Sequence, residues 1–199
     1  MRTRLVVAAS TIALVAVAAV PGAFAETTKC IGTPVAGTTT LDNVKVPRGA
    51  TCTLTNVKVK GNIKVGPDAT LVATNVNVKG SIQAKEYRSV TINGASKVGG
   101  SIQLIEGGEA MTQSAARING TRVKGEIQLD ENFGVVAITN NRVNGDVQLW
   151  ENAGASSIAT NLIGGNLQCK ENLPQPIGAG NMVKGNAEDQ CQDLAVASP

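Results

Sequence analysis

Glycine returns at a nearly constant interval along most of the chain: Gly61, Gly80, Gly100, Gly125, Gly145, Gly165 and Gly185 are spaced by 19, 20, 25, 20, 20 and 20 residues. A self-similar period of this length marks a stack of repeated units, because one such unit cannot bury an apolar face alone and gains that burial only from its neighbours. Around each glycine runs the pattern apolar-x-Gly-x-apolar-polar-apolar, as in Val59-Lys60-Gly61-Asn62-Ile63-Lys64-Val65 and Val143-Asn144-Gly145-Asp146-Val147-Gln148-Leu149. Alternation of period two reads as a β-strand with one buried and one wet face. Val78, Val98, Ile163 and Val183 before the glycine form the inward row, continued after it by Ile82, Ile102, Leu167 and Ala187; Lys79, Ser81, Gln83, Ser101, Gln103, Asn166 and Gln168 look outward. A second short strand precedes each of these, as in Leu71-Val72-Ala73, Val90-Thr91-Ile92, Val136-Ala137-Ile138 and Ser157-Ile158-Ala159. An asparagine stands near the joint in Asn56, Asn75, Asn93, Asn119, Asn140, Asn161 and Asn181. Asparagine tolerates the left-handed backbone of a corner and can hydrogen-bond along a stack.

The fold class these rows predict is all-β: a single parallel β-helix, or β-solenoid, of about seven coils of roughly 20 residues each, stacked about 4.8 Å apart. An antiparallel sandwich also has short alternating strands, but it does not return the same residue types to one glycine-based register for seven periods. Variable coil length and the absence of a six-residue subperiod point to right-handed winding, in line with the general crossover rule. The coil motif V-x-G-[NSED]-[IVL]-Q-[LC] resembles that of secreted right-handed parallel β-helix proteins of actinobacterial type and, more distantly, the bactofilins, over about Leu41 to Cys191. The resemblance implies the fold and is nearly mute about activity. Bactofilins polymerise end to end in the cytoplasm, and this chain departs from them in its leader and its terminal cysteines.

Residues 1–25 read as a signal peptide: Arg2 and Arg4 give a basic start, Leu5 to Val20 an apolar stretch and Ala23-Phe24-Ala25 a cleavage site before Glu26. Residues 26–199 are then one solenoid domain with short irregular ends, secreted to the outside of the cell or held at the wall, with no membrane span once the leader is removed. Four cysteines in an exported chain read as two disulfides. Three pairings are possible; Cys30 with Cys52 and Cys169 with Cys191 are favoured, because each pair lies about one period apart and would staple neighbouring coils near one end of the stack.

Losing Arg2 and Arg4 with the leader takes the formal charge from +3 to +1. With Trp150, Tyr87 and Phe133 as the only aromatics outside the leader, neither electrostatics nor stacking argues for nucleic acid as a partner. Envelope polysaccharide or another protein remains as the partner class.

Six residues after five successive glycines stand Glu86, Glu106, Glu131, Glu151 and Glu171. Stacked coils would align their carboxylates into a column that needs compensation, which Lys85, Arg88 and Lys170 can supply in part. One reading is a linear site for a divalent cation such as calcium or for a cationic ligand, with Asn132, Asn152 and Asn172 as neutral oxygen donors. The other is a solvated corner in which Glu-Asn makes the turn, with no cofactor. The column Gln83, Gln103, Gln128, Gln148 and Gln168 is expected to hydrogen-bond along the axis. The one large insertion, Ile105 to Ser114 with Gly107, Gly108 and Met111, is expected to protrude.

The chain contains no histidine, which removes Ser-His-Asp, Cys-His and histidine-zinc chemistry. Asp146, Glu126, Arg122 and Arg142 are the one cluster a carbohydrate-active lyase or hydrolase could use. The expectation is therefore a secreted, non-enzymatic structural or binding solenoid, with a carbohydrate-active enzyme or a cation-binding surface protein as the alternatives.

Overall fold

A computed structural model describes residues 25–36 and 39–196. Apart from Ala25, the signal peptide expected over residues 1–25 lies outside them. The described chain is a parallel β-solenoid whose coils build three sheets of nine, seven and nine strands. One coil shows the plan: Asn77–Val78 lies in the third sheet, Ile82–Lys85 in the first and Ser89–Asn93 in the second, after which Lys97–Val98 returns to the third. Every pairing is parallel, each strand adding to its equivalent in the coil before.

The glycines stack as the repeat requires. Gly125 donates its N–H to Gly100 O, Gly145 to Gly125 O and Gly165 to Gly145 O, at 2.9, 3.0 and 3.1 Å. A Cβ at Gly145 would lie 2.9 Å from Gly125 O and 3.0 Å from its carbonyl carbon, so the residue is glycine because two backbones meet there. The strand through the glycine needs correction. The alternation reads as one continuous strand, whereas Lys58–Val59 and Ile63–Val65 belong to different sheets and Lys60 to Asn62 form a corner between them. The inward-outward rhythm carries across the bend, which hides it from a period-two reading. Coils are triangular, with three short strands.

The stack also extends past the seven glycines. Gly61 donates to Asp42 O at 2.6 Å, so Asp42 holds the glycine position of an earlier coil. The core is built from rows in register: Ile63, Ile82, Ile102, Ile127, Val147 and Leu167 are partners in successive strands of the first sheet and all fully buried. Each such side chain contributes roughly 1.5–3 kcal/mol on full burial. The disulfides are Cys30–Cys52 and Cys169–Cys191, with Cα–Cα distances of 5.4 and 5.3 Å, one near each end of the stack. Closing a loop of this size stabilises by about 3 kcal/mol.

The insertion does not simply protrude. Gly107 is buried; its N–H donates to Asn132 Oδ1 at 2.9 Å and its carbonyl accepts from Phe133 N at 2.8 Å. The loop leaves the surface only beyond it, where Met111 is exposed and Glu109 is held by Arg88 at 2.8 Å.

Candidate functional site

The corner after the first sheet carries the glutamates. Glu86, Glu106, Glu131, Glu151 and Glu171 all adopt the left-handed backbone, with φ between 52° and 57°. That conformation reverses which way the next side chain points. Asn132, Asn152 and Asn172 therefore face the interior and are nearly or fully buried, which corrects their reading as outward cation donors. Asn132 donates its backbone N–H and its Nδ2 to Asn152 Oδ1 at 3.0 and 2.9 Å, and its Nδ2 also to Leu104 O at 3.1 Å. Asn152 repeats this toward Asn172 at 3.1 and 2.8 Å and toward Leu129 O at 3.1 Å. Asn172 ends the run on Gln190 Oε1 at 2.8 and 3.0 Å. These amides are consumed by the backbone and by each other, leaving no oxygen for an ion.

The glutamate side chains meanwhile face water, Glu106 half-buried and the other four exposed. Lys85 binds Glu106 at 2.8 Å and Lys170 reaches Glu171 at 3.4 Å, while Arg88 turns to Glu109 instead. Among the described residues no group of three or more acids or cysteines converges as a metal site. Hydrogen bonding to Glu106 raises the Lys85 pKa, as expected for a cation beside a carboxylate row.

Asp130 stands beside that row, and its pKa is raised, first by partial burial and then by the charges of Glu131 and Glu151. A carboxyl whose folded pKa exceeds its unfolded value binds its proton more tightly when folded. Its ionised form therefore opposes folding at neutral pH, and the penalty fades as pH falls from the raised value toward the ordinary 3.8. Asp130→Asn is expected to raise Tm at pH 7, with the gap between variant and parent closing toward pH about 4. A gap that stays constant across a thermal-melt series in pH would contradict the assignment.

The outward glutamines form the expected ladder in two stretches: Gln83 donates to Gln103 at 2.9 Å and Gln103 to Gln128 at 3.4 Å, then Gln148 donates to Gln168 at 2.9 Å and Gln168 to Glu188 at 2.7 Å. The acid and arginine cluster does not converge. Asp146 belongs to the glycine corner, where its carboxylate accepts Asn166 N–H at 2.7 Å, the task that Asn62 performs for Ser81 at 2.8 Å and Ser81 for Ser101 at 3.1 Å. Arg122 and Arg142 lie in register on the third sheet with exposed side chains, and among the described residues no ion pair joins them to Glu126 or Asp146.

The third sheet holds what the net charge conceals. Its outward row reads Lys58, Asn77, Lys97, Arg122 and Arg142 in successive strands. The next row, two residues on, carries Lys60, Lys79, Gly99 and Lys124, each donating its N–H to the coil before. Basic residues thus bracket the inward valine in Lys58-Val59-Lys60 and Arg122-Val123-Lys124, a signal visible once the valine is known to face inward. Acids gather at the corner between the first and second sheets and the longest run of bases lies on the third sheet, with a shorter row, Lys29, Lys45 and Lys64, on the first, so a nearly neutral sum hides regions of opposite sign.

These features define a three-sided, disulfide-closed parallel β-solenoid with one acidic corner and one basic face. No family model, curated protein or solved structure matches the chain. The resemblance of the coil motif to secreted β-helix proteins and bactofilins thus gains no support from these comparisons.

Proposed function

We propose that the chain is an exported, non-enzymatic solenoid that serves as a rigid structural or binding element at the cell envelope or outside the cell, of the kind the secreted right-handed β-helix proteins represent. The observation that carries this reading is the disulfide near each end of the stack, a device that persists in oxidising compartments, in a chain that opens with a leader pattern. The use of the polar side chains supports it further. Asparagines, glutamines and Asp146 are spent on satisfying the coil next to them, which makes a stiff rod rather than a cleft. Isolation of the protein from its native host is expected to give a chain beginning at Glu26, with both disulfides oxidised, in the medium or the wall fraction. Mass spectrometry finding a full-length, reduced chain in the cytoplasm would overturn the reading.

A further inference from the structure

We infer that the basic outer surface of the third sheet is a binding face for a linear acidic glycan, contacted chiefly through Lys79, Lys97, Arg122, Lys124 and Arg142. All five side chains are exposed; Lys97, Arg122 and Arg142 occupy neighbouring strands in register, so their charges repeat along the solenoid axis at the coil spacing of about 4.8 Å, with Lys79 and Lys124 beside them two coils apart. Among the described residues the one ion pair on this face joins Lys60 to Asp42 at 3.1 Å, at its N-terminal edge. Like charges in adjacent strands oppose one another. The fold does not need them, because equivalent positions elsewhere in the same rows are Thr40, Asn77, Asn144, Leu162 and Met182. A run of five cations, two of them guanidinium groups, that folding could replace with neutral residues points to an anionic ligand, whereas the first-sheet row Lys29, Lys45 and Lys64 is shorter and holds lysines alone.

The shape agrees with the charge. Between Lys79 and Lys124 the second row has Gly99, which leaves a shallow groove of about 490 Å³ over the strand backbone at Val78 and Val98, whose side chains point inward, walled by Lys79, Lys97, Arg122 and Lys124. It lies along the stack, so a polymer running with the axis meets one cation after another. The two guanidinium groups suit paired oxygens of carboxylate, sulfate or phosphate substituents. Nucleic acid shares the charge but is disfavoured. These rows hold no aromatic residue on which bases could stack, and neither helix nor ribbon rises from the sheet to enter a groove. The choice of an extracellular polymer rests on the proposed export, whereas the charge argument does not, and binding measured on purified protein fails or succeeds independently of where the host puts the chain.

The test uses the oxidised chain from Glu26 onward with heparin and polygalacturonate as acidic glycans, dextran as a neutral glycan and random-sequence duplex DNA. Both acidic polymers are expected to bind in a salt-dependent manner and dextran not to bind. The triple variant Lys97→Ser, Arg122→Ser, Arg142→Ser is expected to lose about 10- to 100-fold in affinity at low ionic strength, with Tm unchanged or raised. A charge-matched control, Lys29→Ser, Lys45→Ser, Lys64→Ser, removes a row of cations from the first sheet and is expected to bind nearly as the parent does. Equal losses in the two triple variants, binding to dextran, or duplex DNA bound as tightly as the acidic glycans would each overturn the assignment.

Discussion

Asn152→Ala is expected to destabilise the solenoid by about 3–6 kcal/mol, since each buried polar group left without a partner costs roughly 1–3 kcal/mol. The substitution takes away one oxygen that accepts two bonds from Asn132, and one nitrogen that donates to Leu129 O and Asn172 Oδ1. Asn152 is fully buried, so water cannot replace those partners without entering the core. The outward counterpart is the half-buried Gln148, whose side chain donates to Gln168 at 2.9 Å on the outer face. Gln148→Ala should cost under about 1 kcal/mol, because water can take over its one partner, Gln168 Oε1, on the outer face. Chemical denaturation of the two variants gives the contrast directly, and hydrogen exchange locates it: the Asn132 amide should lose its protection in Asn152→Ala and keep it in Gln148→Ala. Similar small losses in both variants would show that the inner ladder adds nothing beyond the outer one.

That contrast also explains what could be read from the sequence and what could not. The stacked rows were legible because glycine is required wherever one backbone lies on another, which fixes the register from Gly61 to Gly185 independently of the neighbours. The disulfide pairing followed from the same register. Two things stayed hidden. Period-two alternation continues through the glycine corner, so Val59 and Ile63 both point inward although their strands belong to different sheets. The joint asparagines, moreover, are not one row. Asn56, Asn75 and Asn140 sit at the left-handed corner with φ of 57°, 54° and 57°, where other coils have Gly94, Gly120, Thr160 or Gly180. Asn161 and Asn181 lie one residue further on and turn inward, where Asn141 donates to Asn161 at 2.9 and 3.1 Å and Asn161 to Asn181 at 3.1 and 2.9 Å. Asn93 and Asn119 end strands of the second sheet. Asparagine serves all three positions well, for different reasons, so residue type alone does not separate an offset of one; the adjacent pair Asn140-Asn141 is where both roles show side by side. The asparagines after the glutamates misled in the same way, since a left-handed residue at Glu131 sends Asn132 inward where a continued strand would have sent it out. The basic face was lost in a net charge summed over sides of opposite sign.

Gly107→Ala is the second change expected to damage the fold, and a companion substitution should largely repair it. The residue after the corner glutamate is Tyr87 in one coil, Gly107 in the next and Asn132 in the one after that, so the three stand in one inward column. Tyr87 is buried and its hydroxyl donates to Asn132 Oδ1 at 2.7 Å, reaching past the intervening coil. It can do so only because Gly107 has no side chain: a Cβ there would fall on the Cζ and Cε1 atoms of the tyrosine ring. Neither partner is free to yield. The ring is held by its hydroxyl, and burial pushes the phenol well above its usual pKa, so it remains a neutral donor. The glycine backbone is held by its own bonds to Asn132 and Phe133. Overpacking at such a site costs about 3 kcal/mol or more. Tyr87→Leu alone should cost about 2–4 kcal/mol, from the space the ring vacates and the lost hydrogen bond. In Tyr87→Leu combined with Gly107→Ala the new methyl enters that vacated space, so the double variant should be no less stable than Tyr87→Leu. The cycle should then show a favourable coupling of about 3 kcal/mol, the whole cost of Gly107→Ala alone and the upper end for residues in contact. Strict additivity in denaturant titrations would mean that the tyrosine does not pass beneath Gly107, and the capping of the inner ladder by Tyr87 would fall with it.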